Sequence, residues 1–178
     1  MATDNKEIWI ITGYEIFAFS GAGAIKIEPL AKRVGKSKSS FYHHFADLEV
    51  FTELLLKYHI AQSRIIAEKE QKADSIDPAL INILLEHRTD LLFNRQLRIH
   101  QNNKLFSDTL MQSNKIVGND FIILCVKDMA LNLTPAQIEG IFTLALENFY
   151  LQINADNLNY NWLSAYFANL KKITRNFV

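Results

Sequence analysis

Lys26, Lys32, Arg33, Lys36 and Lys38 fall within the 19 residues from Lys26 to His44, and Glu28 is the only acid among them. The window therefore carries a net +4, in a chain whose 19 Lys+Arg and 19 Asp+Glu cancel. Between and after the basic residues stand Ser37, Ser39, Ser40, Tyr42, His43 and His44, all able to hydrogen-bond. Lysine donates to guanine or to phosphate, and serine to bases or phosphates, so the segment suits a polyanion better than a reaction. A neutral chain cannot coat nucleic acid along its length; any basic site on it must be local. Charge alone leaves open a second reading, a solvated basic face on an ordinary helical turn.

Other arrangements offer less chemistry. His43 and His44 are adjacent, so on a helix their side chains point about 100° apart, and no third metal ligand is evident nearby. None of the five histidines has Asp or Glu three residues before it, which removes the Glu-x-x-His pattern of di-iron bundles. Gly-x-Ser-x-Gly, the P-loop and Gly-x-Gly-x-x-Gly are all absent. No enzyme activity, cofactor or metal is expected. The single Cys125 excludes an internal disulfide framework; within Ile122–Val126 it reads as an inert core residue, the alternative being a redox-sensing thiol. Arg88, Arg95, Arg98 and His100 could face an acidic ligand, or form a solvated face or interface salt bridges.

The elements that must position the basic window are helical. Asp4 with Glu7 reads as a capping pair for a first helix, with Ile10, Gly13, Tyr14 and Phe17 on one face and Gly21 or Gly23 at its end. Ile27 to Val34 is a short helix with Pro29 near its first turn, broken by Gly35. Ser37 caps another over Lys38 to Phe45, and Asp47 caps a long one ending in the polar stretch Ala67 to Asp77. A helix restarts at Asp77-Pro78 and carries Leu80, Ile83, Leu84, Leu91 and Leu92. Residues 94 to 120 are mixed, Phe121 to Leu133 is apolar, and Thr134-Pro135-Ala136-Gln137 is a sharp helix start. Stripes at Ile138 to Phe149 and Leu163 to Ile173 flank an Asn-rich turn at 154–161. Few glycines (6) and prolines (3) argue against a turn-rich β protein, and the expected class is all-α. Ile8 to Ile27 imitates a secretory leader, but its flank is acidic and Glu15 interrupts it. No run reaches the about 20 apolar residues of a membrane span, so a cytoplasmic protein without membrane contact is expected.

Two short helices hinged at a glycine form a helix-turn-helix, whose second helix can enter a major groove. Here the residues carry a resemblance. Phe17…Gly21, Leu30-Ala31…Val34-Gly35, Ser37 to Phe45 and Asp47-Leu48-Glu49 together resemble the N-terminal domain of the TetR family of bacterial transcriptional repressors. The Tyr-x-His-Phe ending, Tyr42 to Phe45, is the most specific part. The resemblance implies a DNA-binding domain over residues 1–46 and a helical dimerisation and effector-binding domain over 47–178. It implies that Lys26 and Ile27 stand where phosphate is often bound. Lys36, Ser37, Lys38, Ser39 and Ser40 lead into and open the base-reading helix, and Tyr42, His43 and His44 match positions that contact backbone or bases. Leu30, Ala31, Phe41 and Phe45 match core. Leu48 departs from the family, which usually has a phosphate-binding lysine there. The implied partners are double-stranded DNA with an inverted-repeat operator, a second copy of the chain in a homodimer, and an unknown small-molecule effector that releases the repressor. The alternative is a helical ligand-binding or protein-interaction module that no longer binds DNA specifically, as the loss of lysine at 48 permits.

Overall fold

The structure, a computed structural model, describes residues 5–175. Every regular element among them is helical: α1 (Asn5–Ser20), α2 (Ile27–Val34), α3 (Lys38–His44), α4 (Leu48–Glu70), α5 (Ile81–Glu86), α6 (Arg88–Ile99), α7 (Lys104–Met129), α8 (Pro135–Gln152) and α9 (Tyr160–Arg175). A single 3-10 turn at Ala22–Ala24 follows α1, and a wide turn at Ile76–Leu80 leads into α5. The class is all-α, as expected. Asp4, expected to pair with Glu7, lies outside the described residues.

Two stretches differ from expectation. The helix expected from Pro78 through Leu92 is interrupted at His87, where φ −98° and ψ 26° close α5 and α6 begins. The His87 side chain is buried and its Nε2 lies 3.0 Å from Lys69 Nζ, so tertiary anchoring accompanies the break. Residues 104–129 are one 26-residue helix rather than a mixed segment followed by an apolar one. Asn103 starts it, its Oδ1 accepting from the backbone N–H of Leu105 (2.9 Å) and of Phe106 (3.3 Å).

The chain divides into two compact units. One takes the chain up to Ser63 together with Thr89–Ser113; the other takes Arg64–Arg88 together with the chain from Asn114 onward. Helices α4 and α7 each run from the first unit into the second.

The first unit is built on rings. Phe93 of α6 stacks on Tyr14 and on Phe17, each at 4.2 Å, and on His59 of α4 at 4.7 Å. Trp9 meets Phe41 edge-on at 5.5 Å, and Phe51 meets Phe41 and Phe45 at 5.4 and 4.9 Å. Aromatic pairs contribute about 0.5–1.5 kcal/mol each beyond their buried area. Gly13 allows α1 to approach Phe51: a Cβ there would stand 2.5 Å from its Cζ and 2.7 Å from its Cε1.

A polar chain runs through this apolar interior. The Tyr14 hydroxyl donates to Asp90 Oδ1 at 2.7 Å and lies 2.7 Å from His59 Nδ1. A phenol has one proton, so the His59 contact runs from Nδ1–H to the Tyr14 oxygen and selects the neutral Nδ1–H imidazole. Burial lowers His59 to about 4, although the nearby Asp90 pushes the other way. Ser63 donates to the His59 carbonyl at 2.8 Å, and its hydroxyl meets Ser113 of α7 at 2.8 Å. Asn94 donates to the same Ser113 hydroxyl at 3.2 Å.

In the second unit α8 opens with the expected capping box. Thr134 N–H donates to Gln137 Oε1 at 2.9 Å, and Gln137 N–H returns to Thr134 Oγ1 at 3.4 Å. Phe142, Phe149, Leu163, Phe167 and Leu170 are buried where the two stripes face inward. Asp77 anchors α9, accepting from Tyr160 (2.5 Å) and Ser164 (2.8 Å). Cys125 is fully buried, and burial pushes its thiol up, so it stays protonated and inert.

Two outcomes follow from the first unit. Gly13→Ala drives a methyl into the fully buried Phe51 ring and should destabilise the protein by about 1–3 kcal/mol, read as a lower urea midpoint at unchanged slope. His59 is held below its unfolded value of about 6.5. Its contribution is therefore complete above that pH and is lost as pH falls through about 4. His59→Asn keeps a donor to Tyr14 without titrating, so its urea midpoint should fall less than that of the wild type between pH 7 and pH 4.5.

Candidate nucleic-acid interface

Helix α2 is short because Gly35 ends it. Gly35 adopts φ 72° and ψ 32°, a left-handed conformation open to glycine at little steric cost, and Lys36 N–H folds back onto the Ala31 carbonyl at 2.9 Å. Two residues later Ser37 caps α3, its Oγ accepting from Ser40 N–H at 3.2 Å. The glycine stop and the serine start lie so close together that α3 must leave in a new direction, which is the turn of a helix-turn-helix.

Helix α3 divides cleanly between inside and outside. Phe41 is fully buried and Phe45, which closes the helix, nearly so. Leu30 and Ala31 of α2 are buried as well, so all four residues expected in the core are there. On the outer side Lys36, Ser37, Lys38, Ser39, Tyr42 and His43 are exposed, with Ser40 and His44 half-buried. Tyr42 keeps 51% of its surface. Lys26 is exposed in extended backbone (φ −133°, ψ 139°) just before α2, and Ile27 opens α2 half-buried. The residues singled out in the sequence thus share one helix-turn-helix, with Ile27, Ser40 and His44 half-buried and the others exposed.

Two acids near this surface pair with its basic residues. Glu28 Oε1 lies 3.4 Å from Lys38 Nζ, and Glu15 of α1 accepts from Arg33 at 3.3 Å. Both pairs are exposed, and such pairs are worth about 0–1 kcal/mol, so an approaching phosphate can displace either acid. Lys26, Lys32 and Lys36 make no ion pair among the described residues. The signal for the first pair was Glu28 as the lone acid of the window; the second joins residues 18 apart, beyond local pattern.

Helix α4 begins with Asp47 Oδ1 accepting from Val50 N–H at 2.8 Å. Leu48 is half-buried, while Asp47, Glu49 and Glu53 are exposed. The entrance to α4 is therefore acidic where the resemblance leads one to expect a lysine. His43 and His44 have ring centres 5.3 Å apart, and no group of three metal-ligating side chains occurs among the described residues. No helix among them is long and apolar enough to cross a membrane.

The sequence matches no family model and no curated protein. A solved structure carries the likeness instead: the crystal structure of a Rhodococcus sp. protein described as a proposed TetR-family transcriptional regulator. The two superpose with a TM-score of 0.61 at 17% identity, over 96% of this chain and 98% of the other. At that identity the likeness is one of fold, and it runs nearly the whole length of both chains: this protein has the all-helical fold of a TetR-family regulator.

Proposed function

We propose that this protein is a DNA-binding transcriptional regulator, a homodimeric repressor released from its operator by a small molecule. One observation carries the reading: α3 anchors Phe41 in the core while Lys38, Ser39, Tyr42 and His43 face solvent from a capped helix start. A helix so held can lie in a major groove with its first turn against base edges. Residues 1–46 are the DNA-binding part in this reading, with Lys26, Ile27, Lys36, Ser37, Ser40 and His44 contributing beside the four outward residues. Residues 47–178 supply dimerisation and the effector site. The likeness in fold to a TetR-family regulator supports the role.

Dimerisation through α8 and α9 is supported by what those helices leave uncovered. Leu144 and Leu151, two turns apart on α8, keep 73% and 79% of their surface, and Ile173 of α9 keeps 54%. Gly140, one turn before Leu144, has no atom within 4 Å of where a Cβ would stand, which lets a partner helix approach closely. For release, α4 is the covalent path from the DNA-binding part to the rest. An effector coupled to it by about 1–3 kcal/mol would change operator affinity about 5–150-fold.

The acidic start of α4, with Leu48 in place of lysine, favours the second reading of a module without specific DNA binding. Gel shift and footprinting on the chain's own promoter region separate the two: an inverted repeat bound by a dimer supports the regulator, and a monomer on an asymmetric site overturns it. On such an operator Lys38→Ala should cost about 1–3 kcal/mol and relax preference at one base pair if Lys38 reads guanine. If it touches only phosphate, all sequences should weaken alike. Leu48→Lys should steepen the salt dependence of binding by about one counterion. Its melting curve must be unchanged for that slope to be read, because Leu48 is half-buried.

A further inference from the structure

Glu70, the last residue of α4, is out of place by every physical measure. It keeps only 2% of its surface, and neither carboxylate oxygen has a hydrogen-bond partner. A helix C-terminus is the negative end of its dipole, so a carboxylate there is disfavoured even in water. Within the second unit Asp120 of α7 adds a second negative charge close enough to act on Glu70, and Cys125 of α7 is close enough to be raised by it. Two lysines of that unit are engaged with other partners. Lys69 bonds Glu86 at 2.6 Å, and Lys171 bonds the Asp128 carbonyl at 2.9 Å and carboxylate at 3.4 Å. Ionised, an unpaired buried carboxylate is among the more costly features a fold can carry; even protonated, a buried carboxyl without partners costs more than an apolar side chain of the same size.

We infer that Glu70, with Asp120 of the same unit, is the anchor of a binding site for an organic cation that brings its own N–H donors, a primary or secondary ammonium or an amidinium. The chemistry selects that class. Two carboxylate oxygens without donors call for several N–H groups on one positive centre. No third metal-ligating side chain joins them among the described residues, so a divalent metal is poorly served. The inference rests on the regulator reading only in naming the ligand's purpose: a cation drawn to the last residue of α4 pulls on the helix whose first residue follows the DNA-binding part.

Empty, the site holds its proton. Burial and then Asp120 raise Glu70 to about 8, so at pH 7 the carboxyl is mostly neutral. Binding an ammonium must ionise it and release that proton to solvent, which gives the site a signature besides affinity.

The test uses the full chain with n-butylammonium, benzylammonium and spermidine at pH 7, and benzyl alcohol as the neutral control. Calorimetry in buffers of different ionisation enthalpy should show at least one of the three cations binding with release of about one proton, and no binding of the alcohol. Glu70→Gln should weaken that cation about tenfold or more, with an unchanged or higher melting temperature and unchanged affinity for operator DNA without ligand. Asp120→Asn should weaken it less. Absence of binding by all three cations up to about 10 mM overturns the inference, as does equal binding by Glu70→Gln. If wild-type chain shifts operator DNA but binds no cation, the site falls and the regulator stands. If it binds a cation through Glu70 but shifts no DNA, the site stands and the regulator falls.

Discussion

The Tyr14 hydroxyl, shared between Asp90 and His59, is the contact around which the first unit is organised. It ties α1, α6 and α4 at one buried point, with contacts of 2.7 Å on each side. Because those groups are shut away from water, each must find its partner inside or remain unsatisfied, at about 1–3 kcal/mol for a neutral group. Stacked rings surround the point: Phe93 lies against Tyr14 and His59 and extends the stack to Phe17. The arrangement gives the three helices one register. A slide of α1 by one residue would break both hydrogen bonds and unstack the rings together.

The proposed recognition surface inherits that register. Helix α2 packs on α1, and α3 on α2, while Phe41 and Phe45 reach Trp9 and Phe51 of the same aromatic core. A seven-residue helix such as α3 is far too short to be stable alone. Its conformation comes from the Ser37 cap at one end and two buried rings toward the other. The outward polar side chains are therefore carried by a platform whose order is set elsewhere, as a surface of serines and lysines must be if it is to present a fixed pattern.

Much of this was legible in the sequence, and the division follows the range of the interaction. Local signals read well. Ser37, Asp47 and Thr134 cap helices, Gly35 turns the chain, and the polarity of α3 separates Phe41 and Phe45 from the rest. Residues 94–120 read only as mixed because their inward groups are partly polar. Asn94 and Ser113 are buried through bonds to each other and to Ser63, and pattern alone cannot foresee partners 19 and 50 residues away. Helix α7 ends with Ala130 at φ 53°, where glycine would have announced the stop. The Tyr14 contacts span 45 and 76 residues and left no local trace. Glu70 sits in the polar stretch Ala67 to Asp77, where no local pattern marks one acid as buried.

The Lys38–Glu28 pair gives the proposed recognition helix an internal counterion. A free surface lysine holds a diffuse cloud of salt anions, and its capture by DNA is driven partly by phosphate shedding its own condensed cations. Lys38 instead leaves a carboxylate that stays bound to the protein, near the duplex and repelled by it. Against a featureless stretch of phosphate the exchange gains little, since one anion replaces another. Against a guanine edge, which offers two acceptors and no net charge, Glu28 is less strongly repelled and the lysine gains a directional partner. If α3 reads DNA as proposed, one exposed acid within the helix-turn-helix would weaken attachment to arbitrary DNA more than attachment to a cognate base. A regulator searching a genome would be held less tightly at the many wrong sites, with little lost at the right one.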